Sequence, residues 1–97
     1  MRIDYLGTKK VFQQCGLRGT RIASVSFTDK ETNLFSKVED HMVELGYHSA
    51  GIIGALGYCV CDFIVEDRDD FEFFCEEFRR IKKELTKKGE YYEDSND

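Results

Sequence analysis

The chain has 97 residues, 41 % apolar and 13 % aromatic, without tryptophan or proline, and a formal net charge of −5. Such a composition fits one domain around a single hydrophobic core and excludes disorder throughout. The longest apolar stretch, AGIIGALGYCVC, is too short and too glycine-rich to span a bilayer, and the start, MRIDYLGTKK, lacks a signal-peptide core, so a soluble cytoplasmic protein with four reduced cysteines is expected.

Charge is unevenly distributed along the chain. Residues 1–21 carry Arg2, Lys9, Lys10, Arg18 and Arg21 against Asp4 alone, whereas the remainder carries nine basic and eighteen acidic side chains. Within the basic segment, KKVFQQC (residues 9–15) could pair at a sheet edge, and GLRG (residues 16–19) has the spacing of a backbone-clamping RNA-binding loop. The helix–loop–helix context of such a loop is missing, because a strand follows directly. Lys9, Lys10, Arg18 and Arg21 could still form an anion-binding patch.

RIASVSFTD (residues 21–29) alternates: Ala23, Val25 and Phe27 fall on one face and Ser24, Ser26 and Thr28 on the other, the pattern of a half-buried strand. A helix follows. Thr28 and Glu31 have capping-box spacing, with Asp29 as an alternative cap. Leu34, Phe35, Val38, Met42 and Leu45 then recur at helical spacing, and Gly46 is a natural stop.

Residues 47–53 (YHSAGII) and 57–67 (GYCVCDFIVED) read as two strands joined through GALG. The spacing of GIIGALG is not that of a dinucleotide-binding fingerprint, and a strand comes next where a helix would be needed. In the second strand Cys59, Cys61, Phe63 and Val65 share a face, as residues two apart must. A final helix begins at the N-cap Asp67 and carries Phe71, Phe74, Cys75, Phe78, Ile81 and Leu85 on one stripe. Its acids lie early and its bases late, complementing the helix dipole. Residues 89–97 read as a mobile acidic tail beyond a domain spanning 1–88.

The central order β-α-β-β-α predicts an α+β two-layer sandwich, an antiparallel sheet with both helices on one face. It resembles a ferredoxin-like topology without the final strand. So common a topology carries no function of its own.

Cys59, Cys61 and Cys75 could converge, with His41, His48 or Cys15 completing a zinc set. A single Cys-x-Cys within a strand, among bulky apolar neighbours, instead favours burial of the thiols as small hydrophobes. Cys15 lies near two arginines, but nothing supplies a paired base. No metal, cofactor or catalytic residue is therefore expected.

The acids between Asp62 and Glu77, relieved only by Arg68 and supplemented by Glu39, Asp40 and Glu44, would attract a basic surface. Phe73 lies off the apolar stripe among these carboxylates, a setting that suits a protein-binding anchor. The expected role is a non-enzymatic protein that binds a basic, nucleic-acid-binding surface of a partner through Glu66, Asp67, Asp69, Asp70, Glu72, Phe73 and Glu76. Small acidic chains of this kind resemble inhibitors encoded by phages and mobile elements. The alternative is an anion, nucleotide or nucleic-acid ligand held by the basic N-terminal segment in a dimer. The flat side of the sheet, with Ser24, Ser26, Tyr58, Val60 and Ile64, could meet a second copy to form a homodimer. Nucleic acid is disfavoured there by Asp62 and Glu66.

Overall fold

The computed structural model describes residues 1–6 and 21–87. KKVFQQC, GLRG, Cys15, Lys9, Lys10, Arg18 and the tail 89–97 lie outside them. The elements are β1 (Arg2–Leu6), β2 (Arg21–Thr28), a 3₁₀ turn (Asp29–Glu31), α1 (Thr32–Glu44), β3 (His48–Ala55), β4 (Tyr58–Val65) and α2 (Arg68–Lys87). The fold is α+β: among the described residues there is one four-stranded sheet in the order β1-β2-β4-β3, antiparallel at every junction, with two helices. The N-terminal segment paired with β2 is Arg2–Leu6, ahead of the KKVFQQC stretch expected there.

Each helix starts and stops for local reasons. The backbone N–H of Thr28 donates to Glu31 Oε1 at 3.0 Å, as capping-box spacing predicts, and the chain makes one 3₁₀ turn before α1. After α1, Gly46 adopts φ +104°, a left-handed conformation that glycine accepts without strain. Its N–H donates to the Val43 carbonyl, and that of Tyr47 to the Met42 carbonyl, which closes a Schellman stop. Asp67 caps α2: its Oδ1 accepts the Asp70 N–H at 2.8 Å.

The core follows the predicted faces. Ala23, Val25 and Phe27 of β2 join Cys59, Cys61, Phe63 and Val65 of β4, Leu34, Phe35, Val38 and Met42 of α1, and the Phe71–Phe74–Phe78 stripe of α2. The Phe63 ring meets Phe35 of α1 at 6.2 Å between centroids and Phe74 of α2 at 4.9 Å. Phe27 stacks on Phe35 at 4.1 Å. Ring pairs of this kind contribute about 0.5–1.5 kcal/mol beyond the area they bury.

Two expectations of exposure fail. Ser24 and Asp62, placed on an open face by alternation, are only 7 % and 9 % exposed, and Ile22 beside them is fully buried. Both strands are interior to the sheet, Ser24 lying between Asp4 and Asp62 in register and Ile22 between Leu6 and Ile64, and their low exposure shows that this face is not open to solvent at these positions. Asp62 is therefore not part of the acidic surface. Leu45, assigned to the buried stripe of α1, lies just past the helix end and is half exposed.

Candidate functional site: an acid-rimmed apolar cleft

The first turn of α2 is held in place by two of its own acids. Besides the cap at Asp67, Asp70 Oδ2 accepts the backbone N–H of Glu66 at 2.9 Å, and its Oδ1 accepts the hydroxyl of Tyr47 at 2.8 Å. Tyr47 directly follows the Schellman glycine, so this hydrogen bond ties the end of α1 to the start of α2. Its ring meets Phe74 edge-on at 5.1 Å. Burial first, then the Asp70 hydrogen bond and the charges of Asp70, Glu77 and Glu66, push the Tyr47 hydroxyl well above the usual phenol range.

That junction forms a cleft of about 410 Å³, bounded by Leu45, Tyr47, His48, Ile64, Glu66 and Phe73. Leu45 and Phe73 are each 49 % exposed. Asp69, Phe73 and Glu76 lie four and three residues apart, so they share one side of α2, the aromatic ring flanked by the two carboxylates. All three are exposed.

The seven residues expected to meet a partner divide accordingly. Glu66, Asp69, Phe73 and Glu76 are exposed, and their side chains make no hydrogen bond or ion pair among the described residues. Glu72 is exposed beside Arg68 at 3.9 Å, a solvated pair of little energetic weight. Asp67 and Asp70 are committed to the fold through the bonds above. Glu39 of α1 is likewise engaged, accepting from Ser49 Oγ at 2.6 Å. Arg68 leans over the rings of Tyr5 and Phe71.

Sequence reasoning missed Leu45, Tyr47, His48 and Ile64 as companions of Phe73. The available signal was Gly46: a helix stop there ends α1 beside the entry to β3, and the expected β3–β4 pairing sets His48 next to Ile64.

Of the alternative basic cluster, only Arg21 is described. It is exposed, and its guanidinium reaches the Glu66 carbonyl at 3.5 Å, beside the acidic end of the sheet. The late bases of α2 border a shallow groove of about 300 Å³ lined by Arg79, Lys82, Lys83, Thr86 and Lys87.

Cys59, Cys61 and Cys75 are buried free thiols. Cys61 Sγ lies 3.2 Å from Ser49 Oγ, and burial, reinforced by Glu39 and Asp62 against the Ser49 hydrogen bond, pushes this thiol up to about 11. Cys59 donates to Asp29 Oδ1 at 3.3 Å. Burial also raises Cys59, and it raises Cys75 despite the opposing charges of Arg79 and Arg68. A thiol poised for attack needs the opposite shift. Among the described residues no three His, Cys, Asp or Glu side chains group closely enough to hold a metal ion, and no helix is long and apolar enough to cross a membrane.

No family model, curated protein or solved structure matches the chain, so the functional reading rests on this geometry.

Proposed function

We propose that this chain is a small non-enzymatic protein that acts in the cytoplasm by binding a basic surface of a partner protein, in the manner of an inhibitor that covers a nucleic-acid site. The observation that carries the reading is Phe73, half exposed on the lip of an apolar cleft and flanked along α2 by Asp69 and Glu76. An aromatic anchor supplies desolvated contact area, while surrounding carboxylates speed encounter with a basic patch and select against acidic ones. Glu66 and Leu45 extend the same surface across the cleft. The raised thiols argue against nucleophilic chemistry by Cys59, Cys61 or Cys75.

The same reading takes the sheet as a ferredoxin-like one in which β1 stands where the final strand would lie, with both helices on one face. The contacts of Phe63 with Phe35 and Phe74 support it. The cleft then opens at one end of the two-layer sandwich, where α1 stops and α2 begins.

A second reading, anion binding, is favoured by the groove of Arg79, Lys82, Lys83 and Lys87 and by Arg21. Charge reversal separates the two. Capture from the native cell by the wild-type chain is compared with Asp69→Lys/Glu76→Lys, Phe73→Ala, and Arg21→Glu/Lys83→Glu variants, all checked for folding by circular dichroism. On the first reading, the acidic-to-basic and Phe73 variants lose the captured partner and added salt weakens capture. Loss of capture only on reversal of the bases would favour the second.

A further inference from the structure

Among the described residues β3 is an edge strand, hydrogen-bonded to β4 on one side only. Along it His48, Ala50, Gly51, Ile52, Ile53 and Gly54 are all exposed, with Ile53 at 67 %. The opposite edge differs: β1 is five residues long, carries Arg2 and Asp4, and is partly covered along most of its length. Open edges are normally guarded by lysine, proline or inward-turned charge. None of these occurs in HSAGIIGA. From Gly46 to Cys61 there is no Asp, Glu, Lys or Arg, in a chain that is 34 % charged.

One guard is present. Ala50 and Gly51 together face a single residue of β4, with Gly51 at φ +91°, so a bulge interrupts the strand. The regular edge therefore runs from Ile52 to the turn. Leu56 and Gly57 form a two-residue turn with positive φ at both positions, which makes Ala55–Tyr58 the hydrogen-bonded pair. By alternation Ile53–Val60 is the next bonded pair, and the N–H and C=O groups of Ile52 and Gly54 point away from β4.

The geometry points to a second copy of this chain as the occupant of that edge, added as an antiparallel β3 about a two-fold axis at Ile53. Outward backbone groups demand a strand, not a helix or a small molecule. An uncharged segment offers nothing to a basic or an acidic partner, whereas a copy brings an equally uncharged edge, self-complementary under two-fold symmetry. Centring on Ile53 pairs Ile52 with Gly54 of the copy twice over, using both outward residues. It also sets the two Ile53 side chains against each other in a closely spaced non-hydrogen-bonded pair. Elsewhere two chains of net charge −5 repel. This inference is independent of the proposed partner cleft, which touches β3 only at His48.

Sedimentation equilibrium of the full chain tests it, together with amide exchange. Expected is a monomer–dimer equilibrium between 11.3 kDa and twice that mass, in the ~10 μM range for so short a contact, with Ile52 and Gly54 amide protection that grows with concentration. Ile53→Lys and Ile53→Asp are each expected to be monomeric with unchanged circular dichroism, because the side chain is exposed; an equimolar mixture recovers the dimer. A mass of 11.3 kDa throughout a series reaching ~1 mM overturns the proposal, as does a dimer that survives Ile53→Lys. Addition of another protein's strand to β3 of a monomeric chain overturns it too.

Discussion

The hydroxyl of Tyr47 donates to Oδ1 of Asp70 at 2.8 Å, across 23 residues, and through it the stop of α1 and the start of α2 become one structural unit. The acceptor is ionised and the donor largely buried, a setting in which hydrogen bonds contribute about 1.5–3 kcal/mol. Tyr47→Phe is expected to lower the unfolding free energy by roughly 1–3 kcal/mol in urea titrations, with the slope unchanged. The pH dependence has a definite sign. Because the folded-state hydroxyl lies above the unfolded value near 10, its contribution is complete below about pH 10 and lost as pH rises beyond it. Wild type should therefore lose stability faster than Tyr47→Phe in alkali, and parallel curves would show that the hydroxyl is not held this way.

The buried thiols give a second alkaline signature. Cys61 is pushed up to about 11 from an ordinary 9.0, so the folded chain resists forming this thiolate while the unfolded chain does not. Its stabilising contribution is complete below about pH 9 and lost as pH rises through about 11. At pH 8, an aromatic disulfide reagent is expected to label none of Cys59, Cys61 and Cys75 rapidly in the native chain and all three in denaturant. Mass mapping of the labelled cysteines checks this, and rapid native labelling of Cys61 would contradict its burial.

Leu56 is the one described non-glycine residue with positive φ, at +58°, and its side chain is fully exposed. A left-handed conformation costs an L-residue about 1–2 kcal/mol, and the solvated leucine recovers nothing by packing. Asparagine tolerates that region and is preferred at this turn position. Leu56→Asn is expected to stabilise the chain by about 0.5–1 kcal/mol, read as a higher denaturation midpoint. A lower midpoint would mean that the turn differs.

Period and punctuation made the framework legible. The i, i+3, i+4 recurrence from Leu34 to Met42 and from Phe71 to Ile81, the alternation from Cys59 to Val65, and the stops at Gly46 and Asp67 all act within one or two turns of chain, so the sequence displays them directly. Strand neighbourhood is not local. Whether Ser24 faces water depends on what packs over that face of β2, and nothing in RIASVSFTD specifies that. The candidate site was legible by halves for the same reason. Phe73 stood out as an aromatic off the stripe, but charge alone could not separate Asp70, occupied by Tyr47 and the Glu66 N–H, from Asp69, which faces solvent. Capping geometry makes that distinction.

Glu31 is almost fully buried, and its carboxylate meets Thr28, where β2 ends and the turn into α1 begins, and the start of the chain ahead of β1. Oε1 accepts the Thr28 N–H at 3.0 Å and lies 3.3 Å from its hydroxyl, while Oε2 lies 3.6 Å from the α-amino group of Met1. One side chain thus caps the turn into α1 and anchors the strand that covers the outer side of β2. Glu31→Gln keeps an acceptor for the Thr28 N–H but loses the ion pair, whereas Glu31→Ala loses both. An ion pair to a part-exposed group contributes up to about 1 kcal/mol, and losing a cap costs about 1 kcal/mol. Alanine should therefore destabilise more than glutamine, and added salt should narrow the gap between glutamine and wild type, because a pair with a part-exposed ammonium is screened. Denaturant midpoints of the three proteins at low and high salt test the ordering. Equal midpoints for glutamine and wild type would assign the whole effect to the cap and none to the ion pair with β1.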